Sequence, residues 1–268
     1  MRKIKVSLAQ MEVVKGDCEE NLRKAGDFIA RAKGLGSEMI CFPEMWTSGL
    51  DRDACARIAA MEDMVGRITG LAKRYSIWLN GSMPAPDESG KVANASLLIG
   101  PDGGIAAVYR KIHLFPGLGE DGHIAAGRAP CLADTPWGKV GLSVCYDIRF
   151  PELFRAYAMK GARIVISASA FPASRGAHWN VLVRARAIEN QIFVAAANRV
   201  GSEDLGKNGI VKFFGTSAII DPSGETLIEG RADKEELLTA ELDLRRIDEV
   251  RAAVDYLRDR RPDAYEIP

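Results

Sequence analysis

The chain is 268 residues long, enough for one large domain or two small ones, and either would enclose a sizeable core. Apolar residues make up 47% and charged residues 27%, with Lys plus Arg equal to Asp plus Glu at 36 each. That neutral balance argues against nucleic acid or an anionic membrane as a partner.

The opening "MRKIKVSLAQME" has a basic start, but Lys5 and Gln10 interrupt its short apolar segment, which is not the h-region of a signal peptide. No apolar run reaches bilayer length, so a soluble, cytoplasmic protein is expected. "IKVSLAQ" (4–10) reads as a strand, and 17–36 as an amphipathic helix closed by Gly34 or Gly36. "EMICF" (38–42) is a buried strand ending at Pro43, 61–76 a helix, and "IWLNGSM" (77–83) the strand after it. "NASLLIG", a Pro-Asp-Gly-Gly turn and "IAAVYRK" make a hairpin over 94–111. "KVGLSVCY" is a strand, "PELFRAYAMKGA" a helix with Pro151 in its first turn, and "RIVISAS" a strand. A helix over 176–190 leads into "IFVAAAN"; "TSAIID", "PSGE", "TLIEG" and "ELLTAELD" then read as a further hairpin, and the tail from Leu244 as helical and then polar.

Strand–helix–strand units mixed with tight hairpins imply helices packed over a sheet that is not purely parallel, an α+β pattern. No composition shift or low-complexity run divides 1–268, which reads as one domain. "FPE" occurs at 42–44 and at 150–152, too short an echo to be a repeat.

The five cysteines (Cys18, Cys41, Cys55, Cys131, Cys145) are odd in number and contain no C-x-x-C pair, so they form neither a disulfide framework nor a zinc ribbon. A mixed site of Cys131 or Cys145 with His113 or His123 lacks metal-ligand spacing, and no metal is expected. Free Cys is commonly a small buried hydrophobe, and that is the plain reading of each. Cys145 differs in its setting: "SVCYDIRFPEL" puts it at the end of an apolar strand and before a helix starting at Pro151. There a helix dipole can lower a thiol pKa, as in a strand–turn–helix nucleophile elbow.

A thiol nucleophile needs a base, and acyl transfer needs a group for the oxyanion. His113 alternates with Ile112 and Leu114 and reads as structural; His123 lies in a Gly-rich loop and His178 near a helix start. A papain-like Cys–His pair therefore has no local signature. A carboxylate with a lysine explains more. Glu44 in "ICFPEMWTSG" and Lys111 in "YRKIHLF" each follow a strand and have apolar neighbours, where a solvated surface charge is not expected. A buried Glu can shuttle protons, and a Lys beside it supplies positive charge to a developing oxyanion.

"FPEMWTSG", "YRKIHLF", "GE" at 119–120, "CYDIRFPEL", "RARAIENQIFVAAANRVG" and "FFGTSAIIDPSGE", in this order over nearly the whole chain, resemble the nitrilase (carbon–nitrogen hydrolase) superfamily. The resemblance implies a four-layer αββα sandwich, usually dimerised through the helix after Cys145 and the C-terminal region, and a Glu-Lys-Cys triad. By motif, Glu44 resembles the general base, Lys111 the catalytic lysine, Cys145 the nucleophile, and Glu120 the second glutamate that positions the others. The oxyanion would be held by Lys111 and the backbone N–H of Tyr146, with no cofactor. Tyr146, where true nitrilases usually carry Trp, points to the ω-amidase and Nit-type amidase branch, and so to small carboxylate-bearing amides as substrates. N-carbamoyl amino acids, deaminated glutathione and nitriles are alternative substrates, and a catalytically silent binding protein an alternative role. Arg149 either captures a substrate carboxylate, as in carbamoyl-amino-acid hydrolases, or pairs structurally with Asp147 or Glu152.

Overall fold

A computed structural model describes residues 3–264. The first half of the chain contributes β1 (Lys3–Gln10), α1 (Cys18–Gly34), β2 (Met39–Cys41), α2 (Arg52–Ala59), α3 (Met64–Tyr75), β3 (Trp78–Pro86), β4 (Val92–Ile99) and β5 (Ile105–Arg110). Next come β6 (Leu132–Thr135), β7 (Gly138–Val144), α4 (Pro151–Met159), β8 (Ala162–Ser169), α5 (Gly176–Asn190) and β9 (Phe193–Asn198). The rest is β10 (Val200–Asp204), β11 (Ile210–Phe214), β12 (Ala218–Ile220), β13 (Thr226–Glu229), β14 (Glu236–Asp243) and α6 (Arg245–Ala253).

Period-two alternation sorts the strands into faces. In β1, Ile4, Val6 and Leu8 join a core shared with Val140, Leu142 and Val144 of β7. Ala9, Ile40 and Leu79 face the other way, onto Phe28 and Ile29 of α1 and Ile68 and Ala72 of α3. Two six-stranded sheets, ordered β14-β1-β2-β3-β4-β5 and β13-β12-β9-β8-β7-β6, thus pack on each other. Helices α1 and α3 cover the first, while α4 and α5 lie on β8 and β9 of the second. This is the αββα sandwich that the motifs imply.

Local chemistry explains α1 well. Asp17 caps it by accepting from the Glu20 N–H at 3.1 Å, Glu19 and Glu20 sit in its first turn, and Arg31 and Lys33 in its last. It ends at Gly34, and Gly36 then takes φ 76° to turn the chain toward β2.

Several expectations need correction. "ELLTAELD" does not complete a hairpin with "TLIEG"; it crosses to the first sheet and pairs antiparallel with the whole of β1, from Lys3↔Asp243 to Gln10↔Glu236. β3 runs three residues past Met83, because it pairs with β4 as far as Pro86↔Val92. Helix α3 begins at Met64, later than expected from 61–76. Helix α2, strand β6 and the β10–β11 ribbon have no counterpart in the sequence reading. The apolar residues of α4 mostly turn inward: Leu153, Phe154 and Tyr157 are buried, and Met159 is exposed.

Strand direction decides where chemistry can gather. β2 and β3 are parallel, and two antiparallel steps bring β5 back to the same direction. β7, β8 and β9 are mutually parallel in the other sheet. The C-terminal ends of β2, β5, β7 and β8 meet at one end of the sandwich, where open α/β sheets bind ligands.

The segment after β2 is held against β3 by the Phe42 N–H to Asn80 (2.7 Å) and the Trp46 N–H to Ser82 (3.1 Å). Phe42 and Trp46 stack at 4.9 Å over Gly81, whose Cβ, if present, would lie 2.6 Å from Trp46 Nε1. Gly81→Ala should therefore cost about 1–3 kcal/mol by overpacking. A thermal melt showing no loss would mean that the Phe42–Trp46 stack yields and does not define this segment.

Candidate active site

Glu44 follows β2 and is 2% exposed; Lys111 follows β5 and is 1% exposed. Lys111 Nζ donates to Glu44 Oε1 at 2.8 Å and to Glu120 Oε2 at 2.7 Å. Glu44 Oε2 accepts from the Ala170 N–H, just beyond β8, at 3.0 Å. Glu120 lies in a short 3₁₀ turn and also accepts from the Phe115 N–H at 2.8 Å, which fixes the loop after Lys111. Cys145 directly follows β7 and opens a 3₁₀ turn over Cys145–Arg149, with φ 45°. That left-handed conformation is uncommon for a residue with a side chain. Met45, next to Glu44, is held at φ 48° as well. The four residues singled out by motif meet in one place.

Asn94 was not anticipated. Its Nδ2 donates to Glu44 Oε1 at 2.8 Å and to Glu120 Oε1 at 3.2 Å, while its backbone carbonyl accepts from the Lys111 N–H. One amide thus braces both carboxylates. A signal was available: Asn94 and Ser96 are polar residues two apart, on one face of an otherwise apolar strand.

Burial alone would disfavour the Lys111 ammonium, but the charges of Glu44 and Glu120 outweigh it and hold the pKa above the ordinary lysine value. For Cys145 the result is opposite to the expectation from the helix dipole. Burial first, then the negative charge of Glu44, push the thiol well above the ordinary range, against the opposing pull of Lys111. A thiol raised in this way is protonated near neutrality, and for it to act as a nucleophile a base would have to remove its proton during attack.

These residues form the floor of a cavity of about 380 Å³. Arg149, Tyr146, Phe171 and Arg175 line it, as do His123, Leu118 and the Leu205–Asn208 turn between β10 and β11. The Arg149 guanidinium lies 5.1 Å from the Phe171 ring and 5.9 Å from that of Tyr146. It pairs with neither Asp147 nor Glu152; Nη1 donates to His178 Nδ1 at 3.2 Å. Asp147 is wholly buried and turned away from it. No carboxylate among the described residues forms an ion pair with Arg149, so its charge is open to a ligand.

The three histidines are otherwise engaged: His113 Nδ1 with Asp147 at 2.7 Å, His123 Nδ1 with the Gly119 carbonyl at 2.9 Å, and His178 with Arg149. The charged side chains acting most strongly on Cys145 are Glu44 and Lys111. The geometry favours a carboxylate base over a Cys–His pair.

A family model described as carbon-nitrogen hydrolase matches residues 5–252. Along its whole length the chain is 36% identical to omega-amidase NIT2-A of Xenopus laevis, spanning 98% of that protein. It is 34% identical to the 2-oxoglutaramate amidase of Bacillus subtilis, over 97% of this chain and 98% of the relative. A crystal structure of a carbon-nitrogen hydrolase from Helicobacter pylori G27 matches with TM-score 0.90 at 30% identity, over 98% of this chain and 97% of that one. The chain belongs to the carbon-nitrogen hydrolase family. It is a hydrolase of carbon–nitrogen bonds other than peptide bonds.

The raised pKa of Lys111 has a consequence for stability. Stabilisation from this ammonium is fully present below the unfolded lysine value of about 10.4 and is lost only as pH rises through the higher folded value. Lys111→Met strands the buried Glu44 and the partly buried Glu120 carboxylates and should cost about 3–5 kcal/mol. Denaturant unfolding at neutral and at mildly alkaline pH, both below that window, should return the same cost. A cost that vanished between the two would contradict the ion-pair assignment.

Proposed function

We propose that this hydrolase is a thiol amidase that cleaves the terminal amide of a short carboxylate-bearing substrate, with Cys145 as nucleophile, Glu44 as base, Lys111 as oxyanion ligand and Glu120 as a positioning carboxylate. The reading rests on one observation above all. Glu44 and Lys111 form a buried pair beneath a cavity whose wall carries Arg149 without a carboxylate partner. The names of the omega-amidase and 2-oxoglutaramate amidase relatives point to the same substrate class.

In the reaction, Glu44 takes the Cys145 proton as the sulfur attacks the amide carbon. The carbonyl π pair moves onto oxygen, where Lys111 and the Tyr146 N–H stabilise it. The intermediate collapses with cleavage of the C–N bond, and Glu44 returns its proton to the departing nitrogen, releasing ammonia. Water then attacks the thioester carbonyl with Glu44 again as base. Carboxylic acid leaves and the thiol is restored. The roles are compatible with a thiol that is neutral at rest, because the proton leaves only during attack.

Cys145→Ala should lower turnover by several orders of magnitude with the fold intact. With a slow amide substrate, intact mass followed by peptide mapping should find one acyl group, on Cys145. A label on Cys41 or Cys55 instead would refute the assignment.

Arg149 is read as the carboxylate anchor, the guanidinium offering two parallel N–H donors to a planar anion. Arg149→Lys should raise KM for ω-amides of dicarboxylates about tenfold, the worth of one charge-assisted hydrogen bond. Neutral amides such as propionamide should be nearly unaffected, and N-carbamoyl amino acids belong in the same panel. Equal losses on charged and neutral amides would remove Arg149 from recognition.

We further infer a homodimer through the outer α4–α5 layer and the C-terminal region. Exposed apolar residues support it: Met159 on α4, Val181 and Ile188 on α5, and Val254 and Tyr256 near the C-terminus. Sedimentation should give twice the chain mass at micromolar concentration, and a monomer there would reject it. A cytoplasmic location is in keeping with five unpaired cysteines, and cell fractionation tests it.

A further inference from the structure

Asp147 lies two residues past Cys145 and is completely buried. Its partners are four donors on two segments. Oδ2 accepts from the Tyr109 hydroxyl and from the Val144 N–H, each at 2.8 Å. Oδ1 accepts from the His113 N–H at 3.1 Å and lies 2.7 Å from His113 Nδ1. These four contacts occupy the accepting positions of the carboxylate and offset the cost of burying it.

The origins of those donors matter more than their number. Val144 directly precedes Cys145 and ends β7, in the second sheet. Tyr109 and His113 flank Lys111 by two residues on either side, at the end of β5 in the first sheet. The far end of the turn is held too, since the His113 ring stacks on Phe150 with centroids 3.6 Å apart and planes 7° from parallel. A backbone held at φ 45°, as at Cys145, persists only where neighbours over-determine it.

We propose that Asp147 is a positioning residue: its carboxylate clamps the turn carrying Cys145 to the segment carrying Lys111, and so sets the sulfur-to-ammonium separation across the two sheets. Asp147 touches no substrate. It acts through Val144, Tyr109 and His113. The inference rests on the roles proposed above for Cys145 and Lys111.

Asp147→Asn keeps the shape but turns one acceptor into a donor facing an N–H or O–H group. The test measures kcat and KM for an ω-amide, and the rate at which iodoacetamide alkylates Cys145 as a function of pH. With the clamp loosened, kcat should fall about 100-fold while KM stays within about threefold, as for a displacement near 1 Å. The alkylation profile should move to higher pH as the thiolate loses Lys111, the other charged groups acting on it being Glu44 and Arg149. Ile68→Ala, in α3 on the far side of the first sheet, is the destabilised control and should leave both readouts unchanged. If Asp147→Asn lowers the melting temperature like the control but leaves kcat and the profile in place, the clamp is refuted. Should that variant fail to fold, Tyr109→Phe and His113→Gln decide: each removes one side-chain bond to the Asp147 carboxylate and should lower kcat about tenfold, and wild-type kcat in both overturns the proposal. Turnover by Cys145→Ala would defeat the thiol mechanism itself. An inert Cys145→Ala beside an unimpaired Asp147→Asn defeats only the clamp.

Discussion

One ammonium, buried away from water, is shared by the buried Glu44 and the partly buried Glu120, and much of the site follows from that. Removing a charge from solvent costs several kcal/mol, recovered only when the partners touch and the remaining lone pairs are bonded. Glu44, Lys111 and Glu120 meet this condition at 2.8 and 2.7 Å, with Asn94, the Ala170 N–H and the Phe115 N–H filling the other positions. The contributing segments are therefore constrained together. β2, β4, β5, the loop to Glu120 and the end of β8 cannot move independently without stranding a buried charge.

The second sheet supplies the sulfur on different terms. Cys145 is held by backbone conformation and packing, and its neutral resting state follows from burial beside an anion. A thiol kept neutral is protected from oxidation and stray alkylation, which require thiolate. In the proposed mechanism the reactive form arises only while Glu44 is accepting the proton. The charge cluster and the thiol come from opposite sheets, so the contact between sheets is itself part of the site.

The cavity wall is built differently from its floor. Phe115, Leu118, the β10–β11 turn and the β8–α5 loop approach from separate parts of the chain, and several of these residues are half-exposed. Loops of this kind tolerate change that the floor does not. Even so, Glu203 of β10 accepts from the Leu50 N–H at 2.8 Å and pairs with the buried Arg199 at 2.6 Å. The ribbon is thereby tied to the loop that follows Glu44.

Glu44, Lys111 and Cys145, which line one cavity, stood out in the sequence because each follows an apolar strand and stands among apolar neighbours, where a charge or thiol invites an explanation. The pattern of strands and helices was legible for the same local reason: period and turn chemistry are written into adjacent residues. Asn94 was not read as part of the site: the polar pair Asn94 and Ser96 marks one face of an apolar strand as unusual but does not say what faces it. Nor was the destination of β14, because turn residues near Gly230 cannot report that β1, more than 220 positions earlier, offers an open edge. Whether Arg149 met Asp147 was likewise beyond sequence spacing. Tertiary structure alone aimed Asp147 at Tyr109 and His113 and left the guanidinium facing the cavity. Local sequence determines which residues carry chemically capable groups and which elements hold them; the pairing of two sheets determines which of them meet, because that contact is set by the packing of the whole core.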